Sequence, residues 1–366
     1  MYIGPFVTHP SSGRRRRPRA AAVVTALLAA AAVLAGCGAT DAAGSSAPEK
    51  VTAAHTNSIS DAPYFIAAER GYFAAEGLQV DLQPFKSGAD VVAPLGSGDL
   101  DVGSGGPSAG FYNALGRGID IRIVADKGRP IPGHSYSTLL VRKDLVDSGR
   151  FRSLADLKGL TVAGYGDGST PDVWFSKMLK DNGIARDDVR INALPGPEQV
   201  VALQNGSVDA ATTAEPNATQ AVESGAAVRF AGSDEFYPDQ QVAVLLYSGA
   251  FAKDRPAVAT AFMRAWLRGV RDYNAALAGP VLAGPGSDDV IAIIRKYIPL
   301  DPALLKKVNS QAVSNDGAMN VASLQDYVGF YRDRNLLERP DVDVAKAVDT
   351  TFIDAAVADL GRPKTG

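Results

Sequence analysis

Four short segments couple hydroxyl-bearing or small residues to a proline: Asn57-Ser58-Ile59-Ser60-Asp61-Ala62-Pro63, Ser104-Gly105-Gly106-Pro107-Ser108, Gly166-Asp167-Gly168-Ser169-Thr170-Pro171 and Thr212-Thr213-Ala214-Glu215-Pro216-Asn217. Each has the composition of a helix start, where proline's missing N–H costs nothing and a small polar side chain caps the first turn. Helix starts also present unpaired backbone N–H groups that attract anionic or strongly polar ligand atoms. Ser60, Asp61, Gly106, Ser108, Ser169, Thr170 and Asn217 are therefore candidate ligand-binding residues. Capping alone accounts for any single junction. Four converging on one cleft would form a polar site.

Aromatic residues stand beside these junctions. Tyr64, Tyr136, Tyr165 and Trp174 have the flat faces to line or stack on a ligand, and also the bulk to fill a core. Glu215 at a helix start is placed to accept from a ligand amine, or simply to favour the helix terminus as a first-turn acid. Lys127 and Arg129 offer charge to an anion, or are solvated surface.

Enzyme chemistry finds less support. Gly106-Pro107-Ser108-Ala109-Gly110 fits the G-x-S-x-G nucleophile pattern, but a hydrolase of that kind places its histidine base late in the chain. No histidine follows His134. No phosphate loop of the G-x-x-x-x-G-K-[ST] type appears, and one cysteine with three histidines leaves no basis for a metal cluster. No cofactor, no metal and no catalytic residue are expected.

The elements that must position these residues alternate. Between Val51 and Phe230, β-type runs and helical patterns follow one another, which predicts βα units with parallel sheets. The order occurs twice, and part of it matches at one constant offset: Gly88 with Gly196, Val92 with Val200, Leu95 with Leu203, Gly98 with Gly206 and Asp101 with Asp209. Two copies of one plan imply two similar lobes. Ser137 to Val141 leads into the second copy and Gln241 to Tyr247 leads out, so two crossings form a hinge beside a cleft. The helical patterns after Lys253 are expected to pack back on the first lobe.

The amino-terminal region reads as an address. Arg14 to Arg17 and Arg19 precede an uncharged run from Ala20 to Leu34, the layout of a secretory signal. That run ends in Leu34-Ala35-Gly36-Cys37, which resembles a bacterial lipobox in which the cysteine is lipidated and becomes the first residue. The expected division is a signal peptide at 1–36, a tether at 37–50, a first lobe from 51–138 and 245–366, and a second lobe at 139–244.

Composition sets the outer bounds. The 366 residues are 46% hydrophobic and 21% charged, an ordinary globular balance that excludes a disordered or fibrous chain. A formal charge of -3 gives no basic footprint for nucleic acid.

Asp61-Ala62-Pro63-Tyr64-Phe65-Ile66-Ala67, Arg70-Gly71-Tyr72-Phe73 and Glu76-Gly77-Leu78 resemble the opening of the nitrate, sulfonate and taurine class of ABC-transporter substrate-binding proteins, which includes relatives of thiamine-pyrimidine synthases. Leu95 to Asp101, Ser153 to Gly159, Leu203 to Ala210 with Glu215-Pro216, and Arg255-Pro256 continue the resemblance in order. It implies an α/β, two-lobed type II periplasmic-binding fold with a two-strand hinge and a ligand cleft between the lobes. It further implies delivery of a small molecule to an ABC permease whose ATPase is a separate chain, and together with the signal layout and Cys37 the expectation is an exported, lipid-anchored monomer at the outer face of the cytoplasmic membrane. The synthases carry a cysteine-rich segment and an active-site histidine. With Cys37 as the chain's single cysteine, that enzyme reading is poorly matched.

Overall fold

The computed structural model describes residues 47–130, 133 and 135–362. The signal region, Cys37, most of the expected tether and His134 lie outside the described residues.

Among the described residues, ten strands form two five-stranded sheets. The first contains β1 (Glu49–His55), β2 (Leu78–Pro84), β3 (Val102–Gly105), β4 (Ile121–Gly128) and β10 (Ala243–Ser248), in the order β2-β1-β3-β10-β4. The second contains β5 (Ser137–Arg142), β6 (Thr161–Gly164), β7 (Arg190–Ala193), β8 (Ala210–Ala214) and β9 (Ala227–Gly232), in the order β7-β6-β8-β5-β9. The two orders are one pattern repeated, in which the strand arriving from elsewhere in the chain occupies the fourth place.

That arriving strand corrects the expectation of parallel sheets. β10 runs antiparallel between β3 and β4, and β5 runs antiparallel between β8 and β9. The remaining pairings, β1 with β2 and β3, and β6 with β7 and β8, are parallel. The reason is directional. β1, β3, β4, β6 and β8 finish at the cavity described below, whereas β5 and β10 start beside it and must run the other way. Being inserted between neighbours, β5 is buried from Ser137 to Val141 and reads as an unbroken run rather than an alternation.

The offset noted in the sequence has a structural counterpart. Gly98 and Gly206 end the corresponding helices Gly88–Ser97 and Gly196–Asn205 in the left-handed conformation, with φ of 81° and 74°. Only glycine adopts that ending without strain.

The sequence predicts one helix from Pro63 to Glu76, but the chain forms Ala62–Glu69 and Tyr72–Ala75, broken at Gly71 with φ of 71°. A single helix over Val344 to Leu360 is likewise interrupted, because Val348 forms an isolated bridge with Ile123 before the helix Thr351–Leu360 begins. On one face of the first sheet the long helix Pro256–Ala275 packs Phe262, Trp266 and Tyr273 against Tyr64 and Phe65. On the other, Tyr327 and Tyr331 of the helix Val321–Asp333 pack against Tyr112, Ile123 and Val244. Burying an aromatic side chain of this size contributes roughly 1.5–3 kcal/mol, so these helices are integral to the sheet they cover.

Candidate ligand-binding cleft

Residues at and just beyond the cleft-side ends of strands from both sheets line one cavity of about 470 Å³. All four proline-containing junctions reach it. Ser58 and Ser60 come from the first, Gly106 and Ser108 from the second, Ser169, Thr170 and Pro171 from the third, and Ala214 from the fourth. The capping expectation is also met at three of them: Ser58 Oγ accepts from the Ser60 N–H, Ser108 Oγ from the Phe111 N–H and Ser169 Oγ from the Asp172 N–H, each at 3.4 Å. Tyr136 and Tyr165 add aromatic surface. The Tyr136 hydroxyl lies 3.2 Å from Ser58 Oγ, and the Tyr165 hydroxyl accepts from the Ala214 N–H at 3.2 Å. Burial pushes both phenols above their ordinary pKa, so both remain neutral donors and acceptors at physiological pH.

Lys127, from the end of β4, also lines the cavity. Its ammonium is 2.8 Å from Asp61 Oδ1 and donates to Ser60 Oγ at 2.9 Å. Asp61 is fully buried and its other oxygen accepts from the Thr56 and Ser58 N–H groups, each at 2.9 Å. Ser60, Gly106, Ser108, Tyr136, Ser169 and Thr170 are thus brought together on the cavity wall, with Asp61 behind it as the counter-charge of Lys127.

Four candidates sit elsewhere. Tyr64 is fully buried under the first sheet, its ring 6.2 Å from that of Phe262. Trp174 lies in the core of the second sheet with Phe175 and Met178, its indole N–H donating to Ser137 Oγ at 3.2 Å. Asn217 packs beside Gly196, where a Cβ would come 2.4 Å from Asn217 Nδ2. Glu215 corrects the expectation of a free acceptor: it is ion-paired to Arg229 and accepts from the Thr219 N–H at 3.0 Å and the Asn309 N–H at 3.4 Å. Its lone pairs are committed within the protein.

Two wall segments lay beyond the sequence reading. Ser87 to Ala89 reach the cavity because Gly88 and Gly105 touch backbone to backbone; a Cβ on Gly88 would fall 2.7 Å from Gly105 Cα. The match of Gly88 with Gly196 was the available signal. Gln311 arrives from the carboxyl-terminal stretch, and no local pattern marks it.

A second depression, also about 470 Å³, lies outside the cleft among Asp120, Arg122, Arg339, Asp343 and Lys346. It sets these charged side chains beside Leu115, Ile119, Ile121 and Val342, with no aromatic ring and no residue of the second sheet in its wall.

Residues 44–276 match the NMT1-like family. The chain belongs to this family. A Brucella abortus (strain 2308) protein whose name calls it a binding protein is 30% identical over 176 residues, 48% of this chain and 51% of that protein. The match thus spans about half the length of that relative. A Bacillus subtilis (strain 168) protein whose name assigns it to aliphatic sulfonates is 26% identical over 335 residues, 89% of this chain and 93% of that protein. The 4-amino-5-hydroxymethyl-2-methylpyrimidine phosphate synthase of Aspergillus parasiticus is 30% identical over 154 residues, 41% of this chain and 40% of that enzyme. Among solved structures, the periplasmic nitrate-binding protein NrtA from Synechocystis PCC 6803 superposes with a TM-score of 0.71 at 14% identity, covering 86% of this chain and 90% of that one. The fold is the two-lobed periplasmic-binding fold.

In this NMT1-like protein the two sheets touch across the cavity. The Ala109 N–H donates to the Gly168 carbonyl at 3.0 Å, and the Gln240 side-chain amide donates to the Thr170 carbonyl at 3.2 Å. Arg334, which follows the helix packed on the first sheet, pairs with Asp172 and reaches Asp167 at 2.9 Å. Both acids belong to the loop and helix after β6. Such contacts can hold two lobes closed over a solute.

Proposed function

We propose that the protein is an extracytoplasmic solute-binding lipoprotein of an ABC importer. One lobe is built on the first sheet and the other on the second, so the crossings expected at 138/139 and 244/245 move to the starts of β5 at Ser137 and β10 at Ala243. A small organic solute, of the sulfonate, aromatic-acid or pyrimidine-like class, is captured between them, and lobe closure presents the loaded form to a permease whose ATPase is a separate chain. The observation that carries this reading is the cavity lined by both sheets at the strand ends, where α/β sheets place ligands. Its volume falls within the roughly 300–1,000 Å³ common for organic-ligand sites.

Cys37, once lipidated, tethers the monomer to the outer face of the cytoplasmic membrane; an acylated glyceryl group provides the multiple chains that stable anchoring needs. Nucleic acid has no part in this scheme. The test is membrane fractionation of wild type and Cys37→Ser, with thermal stability followed against a solute panel. The variant is expected to be released or to keep its signal segment uncleaved; a cleaved variant that fractionates with the membrane as wild type does contradicts the anchor.

The relative from Aspergillus parasiticus favours a second reading, a pyrimidine-forming enzyme. Product formation from candidate precursors, rather than reversible binding, would establish it.

A further inference from the structure

We propose that the cleft selects an uncharged organic solute over an anion, because Asp61 neutralises Lys127. This rests on the solute-binding reading and narrows its ligand class. Lys127 is the one charged residue on the described cavity wall; the others are hydroxyl, small, apolar, tyrosine or glutamine side chains. Its side chain is 3% exposed and that of Asp61 is 0% exposed, so water does not separate the pair. Nor can Asp61 swing away, since two backbone N–H groups hold its second oxygen. Arg129, the next cation after β4, is paired instead with Asp239 at 2.7 Å and faces Asp126 at 3.7 Å.

An anion entering this cavity sheds its hydration and meets a cation whose charge is already matched, with a fixed carboxylate behind it. A buried charge without a free partner is disfavoured. A neutral solute meets no such penalty and finds hydroxyls that both donate and accept.

Matched pairs of amide and acid provide the test: nicotinamide with nicotinate, benzamide with benzoate, and methanesulfonamide with methanesulfonate, titrated calorimetrically into the purified protein. In any pair that binds, the amide is expected to bind at least tenfold more tightly. Asp61→Asn, which leaves Lys127 unmatched, is expected to raise affinity for the acid at least tenfold, and Lys127→Met added to it to abolish the gain. Circular dichroism checks that the variants fold; where one does not, the wild-type preference decides alone. An acid bound more tightly by wild type, or an acid affinity unmoved in folded Asp61→Asn, overturns the proposal and leaves solute binding standing. Absence of binding by every probe to both proteins counts against the proposal and the solute-binding reading together.

Discussion

Asp101 and Asp209 make the same hydrogen bond in the two halves of the chain. Asp101 Oδ2 accepts from the Thr52 N–H at 3.0 Å, tying the approach to β3 to β1, and Asp209 Oδ2 accepts from the Thr161 N–H at 2.9 Å, tying the approach to β8 to β6. Each has an arginine near it, Arg255 at 3.3 Å and Arg142 at 3.7 Å. Replacing either with alanine leaves a partly buried N–H unpaired, a loss of about 1–3 kcal/mol. Urea unfolding of Asp101→Ala, Asp209→Ala and the double variant is expected to show comparable, nearly additive losses, as suits separate sites. A loss confined to one of them would show that the two carboxylates are not equivalent.

The repeat was legible because these aspartates and the helix-ending glycines are dictated by backbone geometry, and geometry that occurs twice leaves the same residues twice. Strand direction was not legible: a buried run such as Ser137 to Val141 carries no mark of which way it runs, and only the sheet order shows that it must oppose its neighbours. The wall residues were found where helix starts expose backbone. Of the two roles open to Trp174 the structure shows core filling: with Met178 one turn later it belongs to an apolar helix face in the core. Of the two roles open to Glu215 the structure shows the one at the helix start, where it accepts from the Thr219 N–H; its pairing with Arg229 on β9 was not legible because no local motif joins them.

Glu215→Gln separates these roles. The substitution removes the counter-charge of Arg229, which is partly exposed, so the cost is on the order of 1–3 kcal/mol rather than the larger figure for a fully buried pair. Thermal unfolding should therefore show a lowered midpoint while affinity for a bound solute stays within about threefold. A large affinity change with unchanged stability would return Glu215 to the binding site.

His55 makes stability depend on pH. Burial holds its imidazole below the ordinary pKa of 6.5, with Asp61 opposing the shift and Lys127 adding to it. Near pH 7.5 neither the folded nor the unfolded histidine is protonated. Below about pH 6.5 the unfolded form takes up a proton first, so stability falls with pH until the lower folded pKa is reached. Midpoints at pH 7.5 and 5.5 should differ less in His55→Gln than in wild type. An equal or steeper dependence in the variant would refute this assignment.

Arg334 links the two sheets through Asp172 and Asp167. Arg334→Ala should loosen closure, seen in small-angle scattering as a larger radius of gyration without solute and a return towards the wild-type value when solute is saturating. Identical scattering for wild type and variant under both conditions would remove Arg334 from the closing contacts.

The central claim is capture of a solute between the sheets, and Gly106 tests it most directly. A Cβ there would lie 2.3 Å from Thr170 Oγ1 and 3.2 Å from the Val242 carbonyl oxygen, wedged at the line where the walls meet. The measurement is a thermal-shift titration of wild type and Gly106→Val with the solute panel. Wild type should gain roughly 2.7 kcal/mol at about 100 times the dissociation constant of a true solute, and the folded variant should gain far less. A solute that stabilises both proteins equally would bind outside this cleft and contradict the account.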